Sequence, residues 1–257
     1  MMETGLVAGD FMSLLATRNI RPFKTDAVQT DLVPTQATTV FAFHFSEGVM
    51  MAGDRRATAG NVIVTDTVDK VIELDATSLL AIAGVPATAF EMARVLQSSF
   101  EYYRRSQLQP LSLPAKVRAL ARLLRENLQM TIQGIGVVMP LFAGLDNLKD
   151  PSQPEIFFYD PLGAQFKTVD YAASGSGSGS IKSVLSFQQR FGEKKPHEMP
   201  LEEAVRFALR LLVIASEFDS ATGGVDPATK NYATIRVLNA EGVRSVDQEQ
   251  QAEFARP

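Results

Sequence analysis

The feature that most restricts the fold is the order of periodicities, in which blocks of strands alternate with pairs of helices. A β-branched and aromatic run covers Thr39–Phe45, and a second apolar run, Gly48–Ala52, follows the short turn Ser46-Glu47, which predicts a hairpin. Val62–Val64, Lys70–Leu74 and Leu79–Gly84 read as further short strands. From Ala87 to Arg105 the spacing becomes helical, with Phe90, Ala93, Leu96, Phe100 and Tyr103 on one face. Pro86, just before it, suits a helix's first turn. A second helix starts at Pro114, its buried stripe being Val117, Leu120, Leu124 and Leu128. Strands return at Val137–Leu145, Glu155–Tyr159 and Gln165–Ala172, helices at Ser180–Phe191 and Leu201–Phe218, and a last strand at Tyr232–Leu238. A doubly wound parallel sheet needs single helices between single strands. Helix pairs between strand blocks predict an α+β fold instead, with two antiparallel sheets packed together and covered by helices.

Composition removes several kinds of chemistry. There is no cysteine, which excludes disulfides, thiol nucleophiles and cysteine-ligated metals and is compatible with a reducing compartment. The two histidines, His44 and His197, sit in an apolar strand pattern and a polar stretch, and neither has a motif partner. A hydrolase built on this chain is therefore expected to work without histidine, metal or other cofactor. The net charge of −4 gives no basic footprint for nucleic acid or anionic membrane. No apolar run reaches the ~18 residues of a membrane span, and the first residues lack the charged and apolar regions of a secretory signal. The cytoplasm is the expected location, and one large domain the expected organisation.

Residues 1–37 differ from the rest of the chain. They hold one short apolar cluster (Phe11, Met12, Leu14, Leu15) and then a mostly polar stretch with Pro22 and Pro34. By composition this is either a disordered arm or a removable prosegment.

Ser174–Ser180 reads SGSGSGS. A P-loop ending at Lys182-Ser183 would need glycines where Ser176 and Ile181 stand, and the dinucleotide fingerprint counted from Gly175 would need one at Ser180. Both fail. A flexible linker would split a packed domain between a strand and an apolar-periodic helix, so a tight strand-to-helix turn is predicted.

The segment Thr38–Thr58, TTVFAFHFSEGVMMAGDRRAT, carries the chemistry. It resembles the start of proteasome β-subunits, N-terminal-nucleophile threonine proteases. The likeness continues through Asp69-Lys70-Val71, Ala81-Ile82-Ala83-Gly84, Gly175-Ser176-Gly177-Ser178 and Asp219-Ser220-Ala221-Thr222-Gly223-Gly224. GDRRAT and DSATGG look most like the bacterial, actinobacterial-type 20S proteasome, and the resemblance runs from Thr38 to about Gly242.

The resemblance implies a four-layer αββα sandwich, with residues 1–37 as a propeptide and 38–257 as the catalytic domain. It implies self-cleavage between Ala37 and Thr38, after which Thr38 is the nucleophile. A threonine hydroxyl needs a base, and an N-terminal threonine brings its own α-amino group, which titrates at about pH 8 in small peptides. By the same likeness Lys70 stands beside Thr38 with Asp54 as its partner, and Ser176, Asp219 and Thr222 form a hydrogen-bonded shell around the amine. Gly84 offers a backbone N–H to the oxyanion, Thr58 contributes to substrate backbone binding, and Arg56 supports the site from behind. Ala57, Val68, Ile72 and Ile82 line the pocket for the residue before the scissile bond, so cleavage after hydrophobic residues is expected. Two positions depart from the family. Ala37 replaces the usual glycine before the threonine, restricting the strained turn that self-cleavage needs. Pro86 replaces a small residue whose backbone helps hold the substrate, and proline has no N–H to donate. The implied partners are a homo-heptameric β-ring, flanking α-subunit rings, a ring-shaped ATPase and unfolded protein substrates. An unprocessed, non-catalytic β-type ring subunit is the alternative.

Overall fold

The computed structural model describes residues 14, 15, 17, 18 and 38–255, apart from 60, 61, 147–152, 169, 227 and 230. Ala37 and nearly all of the predicted 1–37 propeptide lie outside the described residues. Along the chain, β1 (Thr39–Phe45), β2 (Gly48–Gly53), β3 (Ala57–Ala59), β4 (Val62–Thr65), β5 (Val71–Asp75) and β6 (Ser78–Ala81) precede α1 (Pro86–Gln107), α2 (Leu113–Glu126) and the short α3 (Leu128–Ile132). Then come β7 (Leu141–Leu145), β8 (Pro154–Tyr159), β9 (Gln165–Thr168) and β10 (Tyr171–Gly175), followed by α4 (Ser178–Phe191) and α5 (Leu201–Phe218). The chain finishes with β11 (Thr234–Asn239), β12 (Gly242–Val246) and α6 (Gln248–Phe254).

The strands form two five-stranded sheets, ordered β10-β1-β2-β11-β12 and β5-β6-β7-β8-β9, beside the small β3-β4 pair. The named pairings are all antiparallel. Period-two alternation divides the central strands between two cores. Val40 and Ala42 of β1 enter a core with Leu79 and Ala81 of β6 and Leu141 and Ala143 of β7, so this core lies between the sheets. Phe41, Phe43 and Phe45 point the other way, into a core with Ile181 and Leu185 of α4 and Ala208 and Leu212 of α5. On the far side Leu80 and Phe142 pack with Met92, Leu96 and Phe100 of α1 and Leu120 and Leu124 of α2. Three cores separate four layers, and the fold is an αββα sandwich.

Several elements differ from the predicted ones, among them β3, which was not predicted, and β6, which ends at Ala81 rather than Gly84. The expected strand Val137–Leu145 is ordered only from Leu141, because Val138 makes an isolated bridge to Gly84 instead. The expected strand Gln165–Ala172 is two strands, β9 and β10, at the edges of different sheets. Both have strand-forming sequences, so no change of pattern marks the crossing. The second helix breaks at Asn127, whose Nδ2 donates to the Gly136 carbonyl at 2.6 Å, leaving Leu128 to start α3. β12 and α6 lie beyond the last predicted strand, α6 being capped by Asp247, which accepts from Gln250 N at 2.8 Å.

An ion pair with a buried lysine and a partly exposed aspartate joins a helix layer to a sheet. Lys116 of α2, 1% exposed, places Nζ 2.6 Å from Asp75 Oδ2 and 2.8 Å from Thr77 Oγ1 at the β5–β6 turn. Burial pushes the Asp75 carboxyl up, but Lys116, Ser78 and the Thr77 N–H outweigh it and hold the group below its ordinary value. Removing the carboxylate leaves an ammonium buried without its partner, so Asp75→Ala is expected to cost about 3–5 kcal/mol in urea unfolding at pH 7. A depressed carboxyl contributes above its unfolded value and loses that contribution as pH falls through the folded one. The gap between wild type and variant should therefore narrow below about pH 4.

Candidate active site

Thr38 is the residue just before β1, 4% exposed. Its carbonyl accepts from Ser176 N at 3.1 Å. That contact brings the end of β10 hard against it: a Cβ on Gly175, whose φ is +94°, would lie 1.7 Å from Thr38 O. The SGSGSGS stretch is thus a strand-to-helix turn, with β10 ending at Gly175 and α4 beginning at Ser178.

Asp54 follows β2 and Lys70 precedes β5, so one comes from each sheet. Their side chains meet inside, Lys70 Nζ lying 2.7 Å from Asp54 Oδ1 with the lysine 2% and the aspartate 1% exposed. Asp54 Oδ1 also accepts Thr39 N at 2.8 Å, while Oδ2 accepts Arg56 N and Gly223 N at 2.9 Å each. Burial lowers the Lys70 ammonium below its ordinary value; Asp54 opposes the shift, Arg56 adds to it and Asp219 opposes it.

A chain of hydroxyls runs beside this pair. Asp219, at the end of α5, accepts at Oδ2 from Ser176 Oγ and from Thr222 Oγ1, both at 2.6 Å. Thr222 Oγ1 lies 2.6 Å from Thr39 Oγ1, which accepts from Gly177 N at 2.9 Å. Because the Thr222 proton is committed to Asp219, Thr39 must donate to Thr222, and the chain has one direction. A side chain on Gly177 would meet both threonine hydroxyls at 2.7 Å, so only glycine fits there.

A cavity of about 10 Å³ opens on Thr38 and Lys70, lined also by Ala57, Val68, Ile82, Gly84, Pro86 and Ala89. Gly84 is flanked by the bonds Met139 N–Ala83 O (2.9 Å) and Val85 N–Val137 O (2.8 Å). Gly84 and Val138 therefore form the non-hydrogen-bonded kind of antiparallel pair, with the Gly84 N–H turned away from its partner strand. Its φ of +113° and a Cβ position 2.1 Å from Val137 O admit no side chain.

The structure therefore brings Asp54, Lys70, Ser176, Asp219 and Thr222 into one bonded assembly around Thr38 and Thr39, with Gly84, Ala57, Val68 and Ile82 at the cavity. Arg56 joins through its backbone N–H. Thr58 is buried in β3 next to Ala57, and Ile72 sits apart from the cavity, packing on the core under α1 and α2. Pro86 is the first residue of α1. Sequence reasoning missed Thr39, Gly177 and Gly223 as contributors to the site. The Thr38-Thr39 doublet and the spaced glycines were the signals that could have found them.

Fold and site together define an antiparallel αββα sandwich with a buried Thr-Asp-Lys cluster at one end. A model of the Proteasome subunit family matches residues 35–226, and the chain belongs to that family. Proteins of beta type are among its relatives. Proteasome subunit beta of Acidimicrobium ferrooxidans is 37% identical over 250 residues, 96% of this chain and 87% of that protein. Proteasome subunit beta of Stackebrandtia nassauensis is 41% identical over 211 residues, 81% and 73% of the two chains. That of Acidothermus cellulolyticus is 40% identical over 209 residues, 80% and 70%.

Thr39→Val keeps the shape of the side chain but leaves the Gly177 N–H without its acceptor and removes the donor to Thr222 Oγ1, which keeps its bond to Asp219. It is expected to lower unfolding free energy by about 1–3 kcal/mol, read from urea midpoints at constant slope.

Proposed function

We propose that the chain is the catalytic β-subunit of a bacterial 20S proteasome, a threonine endopeptidase acting on unfolded proteins inside a closed chamber. The observation that carries this reading is that Thr38 and the buried Lys70, fixed by Asp54, line one cavity with Gly84. In this reading residues 1–37 are a propeptide, removed when Thr38 Oγ attacks the Ala37 carbonyl and water hydrolyses the resulting ester. The freed α-amino group then takes the Thr38 hydroxyl proton as Oγ attacks a substrate carbonyl. The Lys70 ammonium favours the ionised hydroxyl over the neutral one, and the Gly84 N–H receives the oxyanion. The amine's proton passes to the leaving amine as the C–N bond breaks; a water then gives its proton to the same base and bonds to the acyl carbon, and that proton returns to Thr38 Oγ as the ester bond breaks. Ser176, Asp219 and Thr222 hold the amine's surroundings, Arg56 supports them, and Thr58 with Gly84 binds substrate backbone. Ala57, Val68 and Ile82 form an apolar pocket wall, of which Ile72, also expected there, is not a part.

The same reading makes the partners a homo-heptameric β-ring, α-subunit rings and a ring-shaped ATPase. It makes the location cytoplasmic; among the described residues no helix is long and apolar enough to cross a membrane. Ala37 in place of glycine favours a second reading, a ring subunit that keeps its arm.

N-terminal sequencing and intact mass of the chain assembled with its α-type partner separate the two. The expected product begins at Thr38 and cleaves peptides, and Thr38→Ala and Lys70→Ala each abolish cleavage. Because burial lowers the Lys70 value, the alkaline limb of wild-type activity is expected below the 10.5 of an ordinary lysine. An assembled chain retaining residues 1–37, without peptidase activity, would overturn the protease reading.

A further inference from the structure

The loop Asp219–Gly223 supplies the site with the Asp219 carboxylate, the Thr222 hydroxyl and the Gly223 N–H, yet it is irregular chain between α5 and β11. Ala221 N and Thr222 N donate to Asp219 within it, at 3.1 and 3.0 Å, and a further anchor, from outside the loop, sits on its exposed side. Arg56 Nη1 donates to the Ser220 carbonyl at 3.2 Å, and the Arg56 stem packs against Gly223, where any Cβ would come 3.0 Å from Arg56 Cβ. A guanidinium on a flexible stem makes that bond only if something aims it. Asp66, just past β4, does so: its Oδ1 accepts from Arg56 Nε at 2.9 Å.

The turn that carries Asp66 is itself held by three bonds, two to Arg55 and one to Asn231. Val68 N donates to Arg55 O at 3.0 Å and Arg55 Nη2 to Thr67 O at 3.2 Å. Asn231 Nδ2 donates to the Asp66 carbonyl at 3.0 Å. The carboxylate thus stands on a fixed support. Arg56 and Asp66 side chains are 24% and 38% exposed, so what the pair supplies is mainly direction, since ion pairs in such surroundings are worth little as bare attraction.

We propose that Asp66 is a positioning residue for the proposed hydrolysis, acting through Arg56 to hold the Asp219–Gly223 loop in register with Thr38, Thr39 and Asp54. The inference rests on the proteolytic reading for its kinetic consequence and on the loop geometry alone for its structural one. It has a second, electrostatic effect. The charged groups acting on Lys70 are Asp54 and Arg56, which follow β2, and Asp219, which ends α5. Arg56 disfavours the Lys70 ammonium, and Asp66 neutralises Arg56. Removing the Asp66 charge leaves the arginine uncompensated, so Lys70 loses its proton at lower pH.

The test compares wild type, Asp66→Asn and Asp66→Glu in the chain assembled with its α-type partner. Asn keeps the shape and the backbone bond to Asn231 while removing the charge; Glu keeps the charge on a longer stem. In Asp66→Asn, kcat is expected to fall about fivefold with KM within about twofold. Its alkaline limb should move down by about half a pH unit. Hydrogen exchange of the 219–223 segment, followed by mass spectrometry, should quicken about fivefold. Asp66→Glu should recover most of all three. Wild-type kcat and pH profile in Asp66→Asn would overturn the proposal. So would equal losses in both variants with an unmoved alkaline limb, since these report only a damaged turn. If wild type itself cleaves no peptide, the proteolytic reading fails separately, and the exchange rates still decide: unchanged protection in Asp66→Asn overturns the positioning role as well.

Discussion

The Asp54 carboxylate is the point on which the rest of this structure turns. It accepts four donors from four parts of the chain: Lys70 Nζ, Thr39 N, Arg56 N and Gly223 N. Each oxygen takes two, which fills its lone-pair directions. A carboxylate taken out of water is costly unless it is compensated in this way. Here the compensation also assembles the site, because the donors come from the start of β1, the entry to β5, the β2–β3 connection and the loop after α5. The two sheets could pack without this group. The Thr38 end of the sandwich could not hold its geometry, since the lysine and the three N–H groups would each need another acceptor.

The layered fold was readable from the sequence because its cores obey simple periodicity. Phe41, Phe43 and Phe45 alternate with Val40 and Ala42, and the two sets go to different cores. Of the α5 stripe Leu201, Ala204, Val205, Ala208, Leu212 and Ala215, all but the partly buried Leu201 are buried as the spacing implies. What periodicity cannot report is which sheet a strand joins. β9 and β10 are adjacent in sequence and equally strand-like, but they end at the edges of different sheets. Nor does it report a stop made by one side chain, such as Asn127 closing α2 through the Gly136 carbonyl.

The site was legible to a different degree. Asp54, Lys70, Ser176, Asp219 and Thr222 could be picked out only as a set of ordered motifs, since each alone reads as an ordinary turn or strand residue. Their partners were hidden for a physical reason. Thr39 acts through a hydroxyl facing Thr222, 183 positions away in sequence, and through a backbone N–H, which carries no residue identity. Gly177 and Gly223 likewise contribute N–H groups, together with the absence of a side chain. Asp66 is a carboxylate in a polar turn until the structure sets it against Arg56.

The anchors around Thr38 also bear on how a site of this kind tolerates a break in its own chain. The Thr38 carbonyl is held by Ser176 N, the Thr39 N–H by Asp54, and the Thr39 hydroxyl by Gly177 N and Thr222. Every one of these bonds is made at or after the Thr38 carbonyl, on the C-terminal side of the Ala37–Thr38 peptide. Cutting that peptide removes none of them. Rigidity imposed from one side lets residue 38 change from a link in the chain to a chain end with its carbonyl in place. In the processing proposed above, the new amine would arise next to the Ser176–Asp219–Thr222 hydroxyl shell and the buried Lys70, which Asp54 holds.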